Sequence, residues 1–278
     1  MNNMNKDFSG FTAGTLIHTE TGLVPIEQLK VGDKVLSKDA GGSGDLVYKA
    51  VTNCMVTKNV PVFIMWFGLY FDSSISPLDR VNMELNMTVE EAKVPSPLIL
   101  TANHPFWTNS RGWLKAEELT QQDALITKSD HKFVSDASGG YDGRYRAIKP
   151  LYHSGKKGYG YDINFGDETG QLKGTYVNLS TREYALYSES APKWINKLWQ
   201  EDGEWKQRLL EQTPEEHREH AEFFGFRQGE WKDPDTIDWN EGEGPLTMTV
   251  YNIEVEDTHT YFVGEQGLWV NDGKLDTK

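Results

Sequence analysis

Thr101-Ala102-Asn103-His104-Pro105 sets a hydroxyl and an imidazole three residues apart, and Pro105 leaves the imidazole on a constrained loop, which suits a positioned group. The competing reading of His104 is a turn histidine satisfied by backbone. Towards the other end of the chain stand His259 and the run Asn271-Asp272-Gly273. An Asp-Gly pair can close to a succinimide slowly without any catalytic site, so breakage there is weak evidence of chemistry. His217 and His220, in Glu216-His217-Arg218-Glu219-His220, have a spacing able to hold a metal on one helix face. No third ligand is evident, and a solvated charged face is the preferred reading. The single cysteine, Cys54, excludes an intramolecular disulfide framework and any multi-cysteine zinc site. It lies in the alternating run AVTNCMVT, which predicts a small buried strand residue. Neither a cofactor nor a metal is expected.

The elements that must position these groups are mostly strands. From Thr15 to Ser37 short apolar groups alternate with turn formers, and Gly32-Asp33 predicts a turn into the next strand. Strand signals continue through VYKAVTNCMV, PVFIMWFGLYF, PLILTANHPFW and YRAIKPLYHSG. The apolar run 60–71 is twelve residues long, short of the ~20 that a membrane helix needs, and is expected to form a buried strand with its hairpin partner. Beyond about residue 186 β-branched residues thin out, and Trp194, Leu198, Trp205 and Leu209 fall at helical spacing. Thr213-Pro214-Glu215-Glu216 reads as a helix start. Alternation returns over 246–272, with turns expected at Glu256-Asp257 and Glu265-Gln266-Gly267. The expected organisation is one mainly β domain over 8–150 and 246–272, interrupted by an insertion over 151–245 that is helical from about 190 to 230.

Charge narrows the partners. The chain of 278 residues carries 42 Asp+Glu against 28 Lys+Arg, a net charge of -14, which argues against a nucleic-acid backbone as ligand. Residues 186–245 hold 15 acidic and 7 basic side chains and so supply -8 of that total. Five tryptophans in the insertion, flanked by acids, make 186–245 a candidate surface for a protein partner. Residues 1–7 lack the apolar core of a signal peptide, so secretion by that route is not expected.

Three stretches, GFTAGTLIHTETGLVPIEQLKVGDKVLS, LTANHPFWTNSRGWLKAEEL and VYNIEVEDTHTYFVGEQGLWVND, with the alternating strands between the first two, resemble the hedgehog/intein (Hint) domain. The resemblance is to the branch found in bacterial polymorphic toxins, and covers about residues 9–130 and 246–272. It implies a horseshoe-like β fold in which the two chain ends meet at one site. In that family a nucleophile at the first residue attacks the preceding carbonyl, a Thr and a His hold the amide and protonate its nitrogen, and a terminal Asn cyclises to release the downstream segment.

Carried over, the resemblance gives Thr101 and His104 as the amide-activating pair and His259 as an aid to the terminal step, while His18 reads as structural. Gly10 occupies the nucleophile position and has no side chain, so the first acyl shift is expected to be lost. Ser9 would point to the opposite face of an extended strand, which makes it a poor substitute. Where the family ends Val-His-Asn, this chain reads Val270-Asn271-Asp272. Either Asp272 stands in the terminal position, or Asn271 is the cyclising amide without its His neighbour.

Two functions are compatible with these residues. One is an autoprocessing domain of a bacterial polymorphic toxin or secreted effector, flanked by toxin or trafficking modules. It would reside in the bacterial cytoplasm before export, or be secreted without a classical signal peptide. The other is a non-catalytic Hint scaffold that binds a cognate effector, chaperone or immunity protein through the acidic insertion.

Overall fold

In the described strands of the computed structural model, β-branched and aromatic residues recur among polar ones. The described residues are 8–71, 74–76, 78–79, 95–135, 147–153, 159–165, 172–180, 182, 184–188 and 246–274. Their strands are β1 (Phe11–Thr12), β2 (Leu16–Thr19), β3 (Gly22–Pro25), β4 (Lys34–Ser37), β5 (Val47–Pro61), β6 (Phe63–Met65), β7 (Phe67–Leu69), β8 (Leu98–Leu100), β9 (Pro105–Thr108) and β10 (Gly112–Lys115). They continue with β11 (Leu125–Ile126), β12 (Lys132–Ser135), β13 (Lys149–Pro150), β14 (Tyr152–His153), β15 (Tyr159–Phe165), β16 (Leu172–Asn178), β17 (Tyr184–Ser188), β18 (Thr247–Val255), β19 (Thr260–Val263) and β20 (Leu268–Asn271).

The large sheet is antiparallel and runs β13-β6-β8-β1-β18-β5-β4-β2-β19-β20-β9-β11-β12-β7, with β3 on β2 and β10 on β9. β6 and β7 lie near opposite ends of this path, yet only Trp66 separates them along the chain. The sheet must therefore curl until its ends approach. Register shifts in the β5–β18 pair, between Met248 and Val250 and between Glu254 and Val255, supply local bends of the kind that curling needs.

That curl brings distant segments together. β1 fits between β8 and β18, Phe11 standing opposite both Leu100 and Tyr251. β19 and β20 form a hairpin, and β20 continues onto β9 through Val270 and Phe106. The side chains of Phe11, Ile17, Phe106, Tyr261 and Val270 are buried in one core beneath these strands. A second cluster, with Val62, Ile64, Ile99, Leu151, Val177 and Val250, packs the large sheet against the sheet β14-β15-β16-β17.

Several expectations need correction. The run 60–71 does not fold on itself: β6 pairs with β8 and β13, and β7 pairs with β12, because the curl sends its two halves to different neighbours. Cys54 is in a strand, as its setting predicts, but is exposed. Along β5 residues 52, 54, 56 and 58 all face outward, so alternation identified the strand and not the buried face. The described part of 151–245 is mostly β-strand. The helix expected over about 190–230 lies outside the described residues.

The excursion has a close-set base. Leu151 donates its N–H to Val62 O at 3.3 Å, and Leu246 donates to Leu151 O at 2.5 Å, so the chain departs and returns through adjacent backbone positions. Arg182 reaches back to the large sheet and donates to Thr12 Oγ1 at 2.6 Å and Ala13 O at 2.9 Å. Burial lowers its pKa to about 10.

Phe106 is fully buried where β9 meets β20, against Phe11 and His104. Phe106→Ala is expected to remove about 3–5 kcal/mol of unfolding free energy, the usual cost of truncating a core aromatic, measured by urea denaturation.

Candidate functional site

β1 begins at Phe11, so Gly10 and Ser9 precede it at the point where β8 ends and the turn to His104 begins. Gly10 donates its N–H to Thr101 Oγ1 at 3.1 Å, and its carbonyl accepts from Thr101 N at 3.0 Å. Residue 10 is thus gripped by one threonine through both its amide N–H and its carbonyl. A Cβ built on Gly10 would lie 2.5 Å from Tyr251 O and 3.1 Å from Tyr251 C, both backbone atoms. Position 10 has no room for a side chain without movement of β18.

Strand alternation sends Ser9 to the other face, as expected, but that face carries the imidazole. Ser9 Oγ lies 2.7 Å from His104 Nδ1. His104 is fully buried, with the Phe11 ring 4.2 Å away and the Phe106 and Tyr261 rings at 5.9 and 6.3 Å between centroids. Burial in this apolar cage lowers its pKa from 6.5 to about 3, so the ring is neutral near pH 7. Nε2 has no hydrogen-bond partner among the described residues.

Asn252, on β18, links the two chain ends. Its Oδ1 accepts from Tyr261 OH at 2.7 Å and from Ile253 N at 2.9 Å. Burial, and then the Asp272 charge, hold the Tyr261 pKa well above its ordinary value, so the phenol keeps its proton and donates. With two donors on Oδ1, the amide can face only one way. Its Nδ2 donates to Asp272 O at 2.9 Å and to Ser9 Oγ at 3.3 Å.

The far end is held just as closely. The Asp272 carboxylate is buried, its Oδ2 meeting His259 Nδ1 at 2.9 Å and Val255 N at 3.4 Å, and its Oδ1 accepting from Lys274 N at 3.1 Å. His259 itself is exposed and has positive φ, at the corner between β18 and β19. Asn271 is buried, its Oδ1 accepting from Gly273 N at 2.8 Å while Nδ2 has no partner among the described residues. Of the two residues open at the sequence level, it is Asp272 whose carbonyl accepts from Asn252 Nδ2, the donor that also reaches Ser9 Oγ.

Thr101, His104, His259, Asn271 and Asp272 therefore surround one junction, although the His104 ring reaches Ser9 and the His259 ring reaches the Asp272 carboxylate. Sequence reasoning set Ser9 aside as a poor substitute and passed over Asn252 and Tyr261. The available signal was Asn252, a polar residue sharing the inward face of an alternating strand with Val250. His18 Nε2 lies 2.9 Å from Gly264 O. Among the described residues no group of three or more His, Cys, Asp or Glu is placed to hold a metal, and no helix is long and apolar enough to cross a membrane.

No family model and no curated protein matches the chain. Solved structures do. A bacterial intein-like domain from Clostridium thermocellum is 17% identical, with 95% of this chain and 99% of that one covered at a TM-score of 0.44. A DnaB intein from Synechocystis sp. PCC 6803 is 12% identical, with 95% and 99% covered at 0.39. The gp41-1 intein is 16% identical, with 46% and 75% covered at 0.29. These overlays are loose, and the chemistry of the site rests on its own distances.

Two measurements test this geometry. Gly10→Ala should lower stability by about 1–3 kcal/mol, as overpacking does, whereas Gly68→Ala, whose added methyl meets only Val134 Cγ2 at 3.7 Å, should leave it nearly unchanged. Differential scanning calorimetry of the two variants compares them directly. For His104, the unfolded chain takes up a proton below pH 6.5 that the folded ring refuses until about pH 3. Its contribution to stability is therefore complete above pH 6.5 and is lost as pH falls through that window. Urea unfolding should show wild type losing stability relative to His104→Gln between about pH 7 and about pH 4.

Proposed function

We propose that the chain is a Hint-type self-processing domain that cleaves its own Asp272–Gly273 bond and lacks the N-terminal acyl shift. The observation that carries this is Asn252 Nδ2, which touches a residue from each end of the domain, Ser9 and Asp272. A buried amide that joins the two ends of the domain supports a site at their junction. The motifs of the sequence support the same reading.

At the N-terminal junction Thr101 holds the Gly10 amide nitrogen, the atom that would leave. Gly10 offers no nucleophile to attack the Ser9 carbonyl, and the Tyr251 backbone leaves no space for one. At the C-terminal junction Asn252 polarises the Asp272 carbonyl, and His259 with the Val255 N–H fixes the carboxylate. Hydrolysis of the Asp272–Gly273 bond would release the chain beyond residue 272. The context that fits is a bacterial polymorphic toxin or secreted effector, in which the domain frees a downstream module from an upstream one. The second reading, a non-catalytic Hint scaffold that binds a cognate protein through 186–245, draws on the missing side chain at position 10 and on the acidity of that segment.

Intact mass spectrometry of the purified full chain separates the two. The self-processing reading expects gradual loss of residues 273–278, slowed roughly 100-fold or more by Asn252→Ala, the usual cost of removing an oxyanion donor. A chain that keeps its full mass through prolonged incubation defeats it and leaves the scaffold reading.

A further inference from the structure

We propose that Ser9 is the nucleophile for the Asp272–Gly273 bond, with His104 as its base and Asn252 as the oxyanion donor, so that cleavage passes through an ester between Ser9 Oγ and the Asp272 carbonyl carbon. This rests on the reading that Asp272–Gly273 is the bond cut, and it names the group that attacks. The function of position 10 is thereby taken by its neighbour, acting on the opposite end of the domain.

Four observations converge. First, Ser9 Oγ and Asp272 O share one donor, Asn252 Nδ2, at 3.3 and 2.9 Å. Second, a Cβ built on Gly273 would stand 3.2 Å from Ser9 Oγ and 3.3 Å from Ser9 Cβ, so the residue supplying the leaving amine lies against the hydroxyl. Gly273 has a φ of +90°, a conformation that glycine alone adopts without strain and that lets the two backbones approach. Third, Ser9 Oγ sits 2.7 Å from His104 Nδ1. Because Asn252 donates to a lone pair of that oxygen, its hydrogen is free to be given to Nδ1, which places the imidazole hydrogen on Nε2 among the aromatic rings. Fourth, the other oxygen nucleophile near this bond is engaged. The Asp272 carboxylate accepts from Val255 N and Lys274 N and pairs with His259, and its attack on its own carbonyl would have to break that set.

The step balances. As Ser9 Oγ bonds to the Asp272 carbonyl carbon, its proton passes to His104 Nδ1 and the carbonyl oxygen takes negative charge, facing Asn252 Nδ2. The carbon–nitrogen bond to Gly273 then breaks, and the proton on His104 moves to the Gly273 nitrogen, which leaves as an amine. Water adds to the ester, restoring the Ser9 hydroxyl and leaving a free carboxyl on Asp272. A buried, neutral imidazole is a weak base, so the reaction is slow. A domain that cuts itself needs one turnover.

The test uses the full chain followed by intact mass, thermal melting and peptide mapping, for wild type, Ser9→Ala and Ser9→Cys, with and without hydroxylamine or a thiol. The expected result is release of 273–278 from wild type and a loss of at least roughly 1,000-fold in a Ser9→Ala chain that still melts cooperatively. Hydroxylamine should convert Asp272 to its hydroxamate in wild type, and thiols should accelerate release from Ser9→Cys by capturing a thioester. Equal cleavage in wild type and Ser9→Ala overturns the role of Ser9 while leaving cleavage at this bond intact. If Ser9→Ala does not fold, Ser9→Cys decides alone: release that is indifferent to thiol overturns the proposal. An uncut wild type overturns the cleavage reading and this one with it.

Discussion

The site depends on the orientation of one buried amide. Asn252 has a single oxygen and a single nitrogen to place, and the Tyr261 phenol and the Ile253 N–H both claim the oxygen. Its nitrogen has no choice but to face the two chain ends. Turning the amide over would set a carbonyl against the Asp272 carbonyl and the phenol against an NH2, leaving several buried polar groups unsatisfied at about 1–3 kcal/mol each. The core thus fixes the direction of a polar group that packing alone would leave free to flip.

That constraint works because the curled sheet makes sequence-distant strands into neighbours. Tyr261 reaches Asn252 from β19, and Ser9 reaches it from the approach to β1, which is itself held between β8 and β18. The grip of Thr101 on Gly10 and the burial of Phe11 set the depth of the N-terminal segment, while the β19–β20 hairpin delivers Asp272. A shift of one residue in either strand would exchange Ser9 for Gly10, or Asp272 for Asn271, at the amide.

Much of this was legible in the chain. Alternation found most strands, Gly32-Asp33 marked its turn, and the Thr101/His104 spacing marked the loop against which the N-terminal segment packs. What alternation cannot give is the sign of the face. It placed Cys54 in a strand and on the wrong side, and it separated Ser9 from residue 10 correctly without revealing that the imidazole waits on the Ser9 side. The apolar run 60–71 failed for a related reason. Its local pattern is the same whether its halves pair with each other or with remote strands, and only the global curl decides between them. Asn252 was hidden because its role comes from three partners brought in by tertiary contacts.

The close-set base of the excursion gives the domain a modular anatomy. Leu151 and Leu246 are hydrogen-bonded to each other beside Val62, so whatever chain joins them starts and finishes at one spot on the rim of the large sheet. The entropy of closing such a loop rises only as the logarithm of its length, so segments of very different size can be exchanged there at nearly constant cost. The junction of the two chain ends and the excursion can therefore diversify at separate rates. Arg182, which reaches from the excursion to Thr12, two residues beyond Gly10, is one contact through which a change in one would be felt by the other.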